Sequence, residues 1–158
     1  MASNRHLARI VAMQALFELS FNIEIGITSP EDKLAKEAII DRSIEIYGMS
    51  VKDQEFCREL YYGSIENLDA LDQIIAPAAP EWPIAQISKV DLAVLRLSVF
   101  ELTIYDQVTP YKVIINEAVE VAKSFGGDNS SKFVNGVLAT VYKEQVESRG
   151  EENNVKTN

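Results

Sequence analysis

The stretch TPYKVIINEAVEVAKSFGGDNSSKFVNGVL, residues 109–138, decides the fold. Val113, Ile114, Ala118, Val121, Ala122 and Phe125 recur every three or four residues, which puts them on one helix face. Thr109 and Pro110 read as N-cap and first helical residue, because a proline there forfeits no helical hydrogen bond. Gly126 reads as a left-handed cap closing that helix. Asn129 or Ser130 then caps a second helix, which buries Phe133, Val134, Val137, Leu138 and Val141. Gly136 sits inside it; a glycine there costs roughly 1 kcal/mol against alanine, which implies a close helix crossing. Lys112, Asn116, Glu117, Lys123, Asn129, Lys132 and Asn135 cluster around the junction. They include no metal-ligand set and no nucleophile–base pair, so the junction points to binding rather than turnover.

The same periodicity extends through the rest of the chain. Breakers at Gly26–Pro30, Gly48, Pro77–Pro83 and Thr109–Pro110 cut it into segments of helical length. Residues 4–21 are apolar nearly all the way round, as in a helix covered by neighbours on several sides. The basic turn at its start, with Arg5, His6 and Arg9, is expected to project from that core, because unpaired charge is costly to bury. A second helix over 31–47 would bury Leu34, Ala38, Ile39, Ile40, Ile44 and Tyr47. Residues 51–75 hold one long or two short helices. Trp82, in the connector APAAPEWPIAQ, is expected to pack on the bundle. Ser88 caps a helix running through Tyr105. The expectation is an all-α single compact bundle of six to eight helices over residues 1–145, followed by a disordered polar tail over 146–158.

Bulk composition narrows the function. Of 158 residues, 47% are hydrophobic and 25% charged, which suits one soluble domain with a real core. No apolar run approaches the roughly 20 residues that cross a bilayer, and no signal peptide is evident, so a cytoplasmic protein with no membrane contact is expected. The net charge of −9 argues against indiscriminate nucleic-acid binding but allows a small basic site. Residues 24–81 hold 13 acidic residues against 5 basic ones, whereas residues 1–17 hold Arg5, His6 and Arg9 and no acid. One histidine and one cysteine exclude multi-histidine sites and zinc–thiolate clusters within the chain. Neither a cofactor nor a metal is expected, and Cys57 reads as a core residue.

Binding readings fit better. Arg5 and Arg9 share a helix face, with His6 beside them, at a helix end that carries partial positive charge. Lys132 can contact phosphate, and Phe133 can either stack on an unpaired base or lie in the core.

Four stretches resemble the NusB family of bacterial transcription antitermination factors: ARIVAMQALFEL (8–19), VDLAVLRLSVFEL (90–102), PYKVIINEAVEVAKSFG (110–126) and SSKFVNGVL (130–138). The resemblance covers about residues 4–143. It implies a bundle of about seven helices without catalytic activity. Family members bind boxA-type single-stranded RNA of ribosomal RNA leader transcripts. They do so with ribosomal protein S10 (NusE), in the antitermination complex on RNA polymerase. Carried over by matching position, the RNA contacts are Arg5, His6, Arg9, Asn129, Lys132 and Phe133, and NusE docks partly through Asp91. The first helix departs from the family pattern: His6 and Leu7 stand where further basic residues are usual, which implies fewer phosphate contacts.

Two other classes follow from the same resemblance. NusB-like domains precede the catalytic domain of RNA cytosine methyltransferases, although a chain ending at Asn158 leaves no room for one. A NusB-like structural or homo-oligomeric interaction protein with weak or lost RNA binding is the other alternative. The choice between monomer and homodimer stays open.

Overall fold

The structure, a computed structural model, describes residues 4–105 and 109–148. Those residues form seven α-helices and no strand: α1 (Arg5–Glu24), α2 (Lys33–Tyr47), α3 (Val51–Glu66), α4 (Leu68–Ala78), α5 (Lys89–Thr103), α6 (Tyr111–Phe125) and α7 (Ser130–Val141). A 3-10 turn, Ile84–Gln86, precedes α5, and a π-helical turn, Tyr142–Glu147, continues α7. The chain divides into two compact units, Met1–Glu66 and Asn67–Asn158. Of the tail expected from residue 146, residues 149–158 lie outside the described residues.

In the first unit, α1 packs on α3 and α2. The wide apolar face of α1 buries Val11, Leu16 and Leu19, while α3 contributes Leu60 and Tyr61. Each large aliphatic side chain so covered stabilises the fold by about 1.5–3 kcal/mol. The Tyr61 hydroxyl, though buried, donates to the Lys36 carbonyl at 2.9 Å, so that hydroxyl is satisfied. Gly48 ends α2 at φ 57°, a left-handed position that a side chain would strain. Leu34, expected on the buried face of α2, is 80% exposed; periodicity finds a face but not what covers it.

In the second unit, α5 packs on α4, α6 and α7, and α6 lies along α7. Arg96 of α5 grips Asp72 of α4 with two parallel bonds, Nε to Oδ1 at 2.9 Å and Nη2 to Oδ2 at 2.8 Å.

The α6–α7 junction corrects several expectations. The N-cap of α6 is Pro110, one residue later than expected, with no side-chain cap. Gly126 is extended (φ −93°, ψ −169°), not left-handed. Its lack of a side chain serves close approach instead: a Cβ would lie 2.4 Å from Ser130 Oγ and 2.7 Å from the Ala122 carbonyl oxygen. Asn129 is the N-cap of α7, one of the two residues expected there, but its side chain makes no capping bond; the Ser130 hydroxyl accepts a bond from Gly127 N at 2.9 Å and latches the turn. Val113 and Phe125 are 43% and 40% exposed rather than buried. Gly136 faces open space, so no helix crossing explains it.

Candidate functional site

In the first unit the candidate residues gather at the start of α1. Asn4 caps the helix, its side chain accepting from Leu7 N at 3.0 Å. The first turn holds no acid, so the positive end of the helix dipole is not offset from within the helix. Asp53 of α3, itself buried, accepts from Asn4 N at 2.7 Å and from Ser50 Oγ at 2.9 Å, tying the helix start to α3.

His6 is exposed and Arg5 half-buried, but Arg9 is only 8% exposed, so the basic turn does not project as a whole. One neighbour that covers Arg9 is Phe56 on α3. The guanidinium carbons of Arg5 and Arg9 lie 4.3 and 5.1 Å from its ring centroid. A ring face attracts a cation over that range, and the arginine stem adds apolar contact.

In the second unit a cleft of about 460 Å³ opens between the segment before α5 and the start of α7. Trp82, Gln86, Asp91, Asp128, Asn129 and Phe133 are among its lining residues. Asp91 is 8% exposed. Its backbone N–H donates to Ser88 Oγ at 3.2 Å, but its Oδ1 is buried with no hydrogen-bond partner. Leaving a buried acceptor unmet costs about 1–3 kcal/mol. Two carboxylates and two aromatic rings line the cleft and, among the described residues, no lysine or arginine does, which suits a donor-rich cation and repels phosphate.

Three sequence candidates therefore meet in one place: Asp91, Asn129 and Phe133. Lys132 is exposed and does not line the cleft, although it is the neighbour of Phe133 in sequence. Successive helical residues point about 100° apart, which separates the pair. Trp82 was the residue missed. It was expected to pack inward but is 50% exposed and lines the cleft; the flanking Pro80 and Pro83 were the signal that it stands off a helix.

Other chemistry is sparse. Cys57 is buried, and desolvation pushes its thiol pKa up to about 12, although nearby Arg58 lowers it. Among the described residues no group of three or more His, Cys, Asp or Glu could hold a metal ion, and no helix is long and apolar enough to cross a membrane.

Known proteins extend these observations. The profile of the NusB family matches residues 6–143. The chain is 48% identical over 143 residues to a transcription antitermination protein NusB of Chloroflexus aggregans, covering 89% of this chain and 88% of that protein. The solved structure of T. maritima NusB superposes with a TM-score of 0.80 at 33% identity, covering 96% of this chain and 99% of that one. A structure of antitermination factors NusB and NusE in complex with dsRNA shares the fold, with a TM-score of 0.74 at 23% identity, covering 88% of this chain and 96% of that one. With a family profile that spans most of its length and relatives this similar, the chain belongs to the NusB family.

Proposed function

We propose that the chain is a non-catalytic transcription antitermination factor. In this reading it binds boxA-type RNA of ribosomal RNA leader transcripts together with NusE and joins the antitermination complex on RNA polymerase. The observation that carries it is the 48% identity to a relative named for antitermination. Geometry then suggests who does what. Arg5 and His6, at a helix start without a first-turn acid, suit phosphate, as does exposed Lys132. Asp91, with its unmet oxygen in an acidic aromatic cleft, suits a guanidinium or ammonium group of NusE. Asn129 and Phe133 line that cleft, so they are proposed as contacts there, with RNA bases meeting only their outer edges.

The test is an electrophoretic titration of boxA-type RNA with and without NusE. Arg5→Ala and Lys132→Ala are each expected to weaken RNA binding about tenfold and to flatten the salt dependence by about one phosphate contact. Asp91→Asn is expected to leave RNA affinity unchanged and to remove most of the gain from NusE. Equal affinity for boxA-type and scrambled RNA, with NusE present, would sink the reading.

The homo-oligomeric alternative draws on exposed apolar residues of the first unit, Ile25, Ile27 and Leu34. Light scattering separates it: self-association without RNA affinity would favour it.

A further inference from the structure

We propose that Phe56 is a positioning residue for the cationic start of α1. Its ring seats Arg5 and Arg9 together and so fixes the positive charge that an RNA phosphate meets. The inference rests on the RNA-binding reading above.

Arg5 and Arg9 stand one helical turn apart, where like charges repel. They also lie at the positive end of the helix dipole, whose own first turn holds no acid and which the Asp53 carboxylate of α3 meets at the Asn4 N–H. Left to themselves, two such side chains would spread into water and sample many rotamers. Phe56 opposes that. Both guanidinium carbons lie within about 6 Å of its ring centroid, the range over which a ring face attracts a cation.

The ring is itself held. Phe56 is 3% exposed within α3, so it is a fixed seat. Three residues earlier, on the same side of α3, Asp53 binds the Asn4 backbone N–H at 2.7 Å. Thus α3 grips the start of α1 at two points, the backbone through a carboxylate and the side chains through a ring.

The two arginines then divide the work. Arg9, nearly covered, contributes charge from beneath. Arg5, half-buried, and His6, exposed, are the groups a phosphate can touch. A side chain already seated loses little freedom on binding, so the seat raises affinity without adding a contact.

The decisive variant replaces Phe56 by pentafluorophenylalanine, which keeps the ring's apolar shape and reverses the charge of its face. Phe56→Leu is the second variant. Three quantities are read on the full chain: the thermal midpoint, the NMR signals of the Arg5 and Arg9 side chains, and the affinity for a boxA-type RNA oligonucleotide. Expected for the fluorinated protein are a wild-type fold, loss of the ring-induced shifts and ordering of both arginines, and RNA binding weakened about 5- to 10-fold. A merely structural phenylalanine predicts no change in the last two. Wild-type RNA affinity in the folded fluorinated protein would overturn the inference. If the unaltered protein fails to bind RNA, the proposed function falls instead. The seating of the arginines is then decided by their NMR signals alone, and unchanged signals overturn it.

Discussion

At the start of α1 two cations lie against an aromatic ring; beside α5 a carboxylate oxygen lies covered with nothing bonded to it. Both places put charge out of water; the first is met by a ring, whereas at the second one carboxylate oxygen has no hydrogen-bond partner among the described residues. Compensated charge tolerates burial and fixes geometry. Uncompensated charge costs stability and is kept where a partner can supply the missing bond. In the proposed function, the first arrangement offers a ready-made surface and the second a place for a partner's donor.

The largest expected effect tests how closed the α3 side of the first region is. Cys57 follows Phe56 in sequence, and burial pushes its thiol up to about 12. At neutral pH it should alkylate about a thousandfold more slowly than in the urea-unfolded chain, from the difference in thiolate alone. The same shift sets a pH window: stability is full below the unfolded thiol pKa, near 9, and falls as pH rises from there towards 12. Rapid alkylation of the folded protein, followed by mass spectrometry, would show that α3 opens and that the seat beneath the arginines is not fixed.

A smaller effect separates the two arginines. Arg9→Ala should destabilise the protein by about 2 kcal/mol in urea unfolding, through lost stem packing and lost attraction to the ring. Arg5→Ala, more exposed, should cost under about 1 kcal/mol. Equal costs would mean that Arg9 is as open as its neighbour.

The smallest effect has the opposite sign. Asp91→Asn removes the covered charge while keeping a polar oxygen at the same place, and should raise stability by up to about 1 kcal/mol after allowing for the lost charge near the start of α5. A loss instead would place a bonding partner for Asp91 inside the chain and erase the contrast between the two regions.

Much of this was legible in residue spacing, and the exceptions share a cause. The apolar faces of α6 and α7 were readable because a helical repeat is a local property. Ser88 as the cap of α5 was readable for the same reason. Phe56 lies 47 residues from Arg9, so nothing in local sequence says that the arginine is covered. Leu34 and Val113 fit the repeat yet face water, because spacing ranks positions around a helix without naming the neighbour. The position of Gly126 at a helix end suggests dihedral freedom, whereas its role is to let Ser130 approach, a distance no pattern encodes. In the cleft, the family resemblance supplied Asp91, but the grouping of Asp91 with Trp82, Asn129 and Phe133 needed the fold.

The latch at Gly126 and Ser130 also bears on how the second unit assembles. The turn between α6 and α7 spans residues 126–129, so bringing the two helices together closes a very short loop. Contacts this local form early in folding, ahead of pairings between distant segments. A side chain at residue 126 would act mainly on the rate of folding, slowing assembly of the hairpin, and would leave the lifetime of the finished fold comparatively untouched.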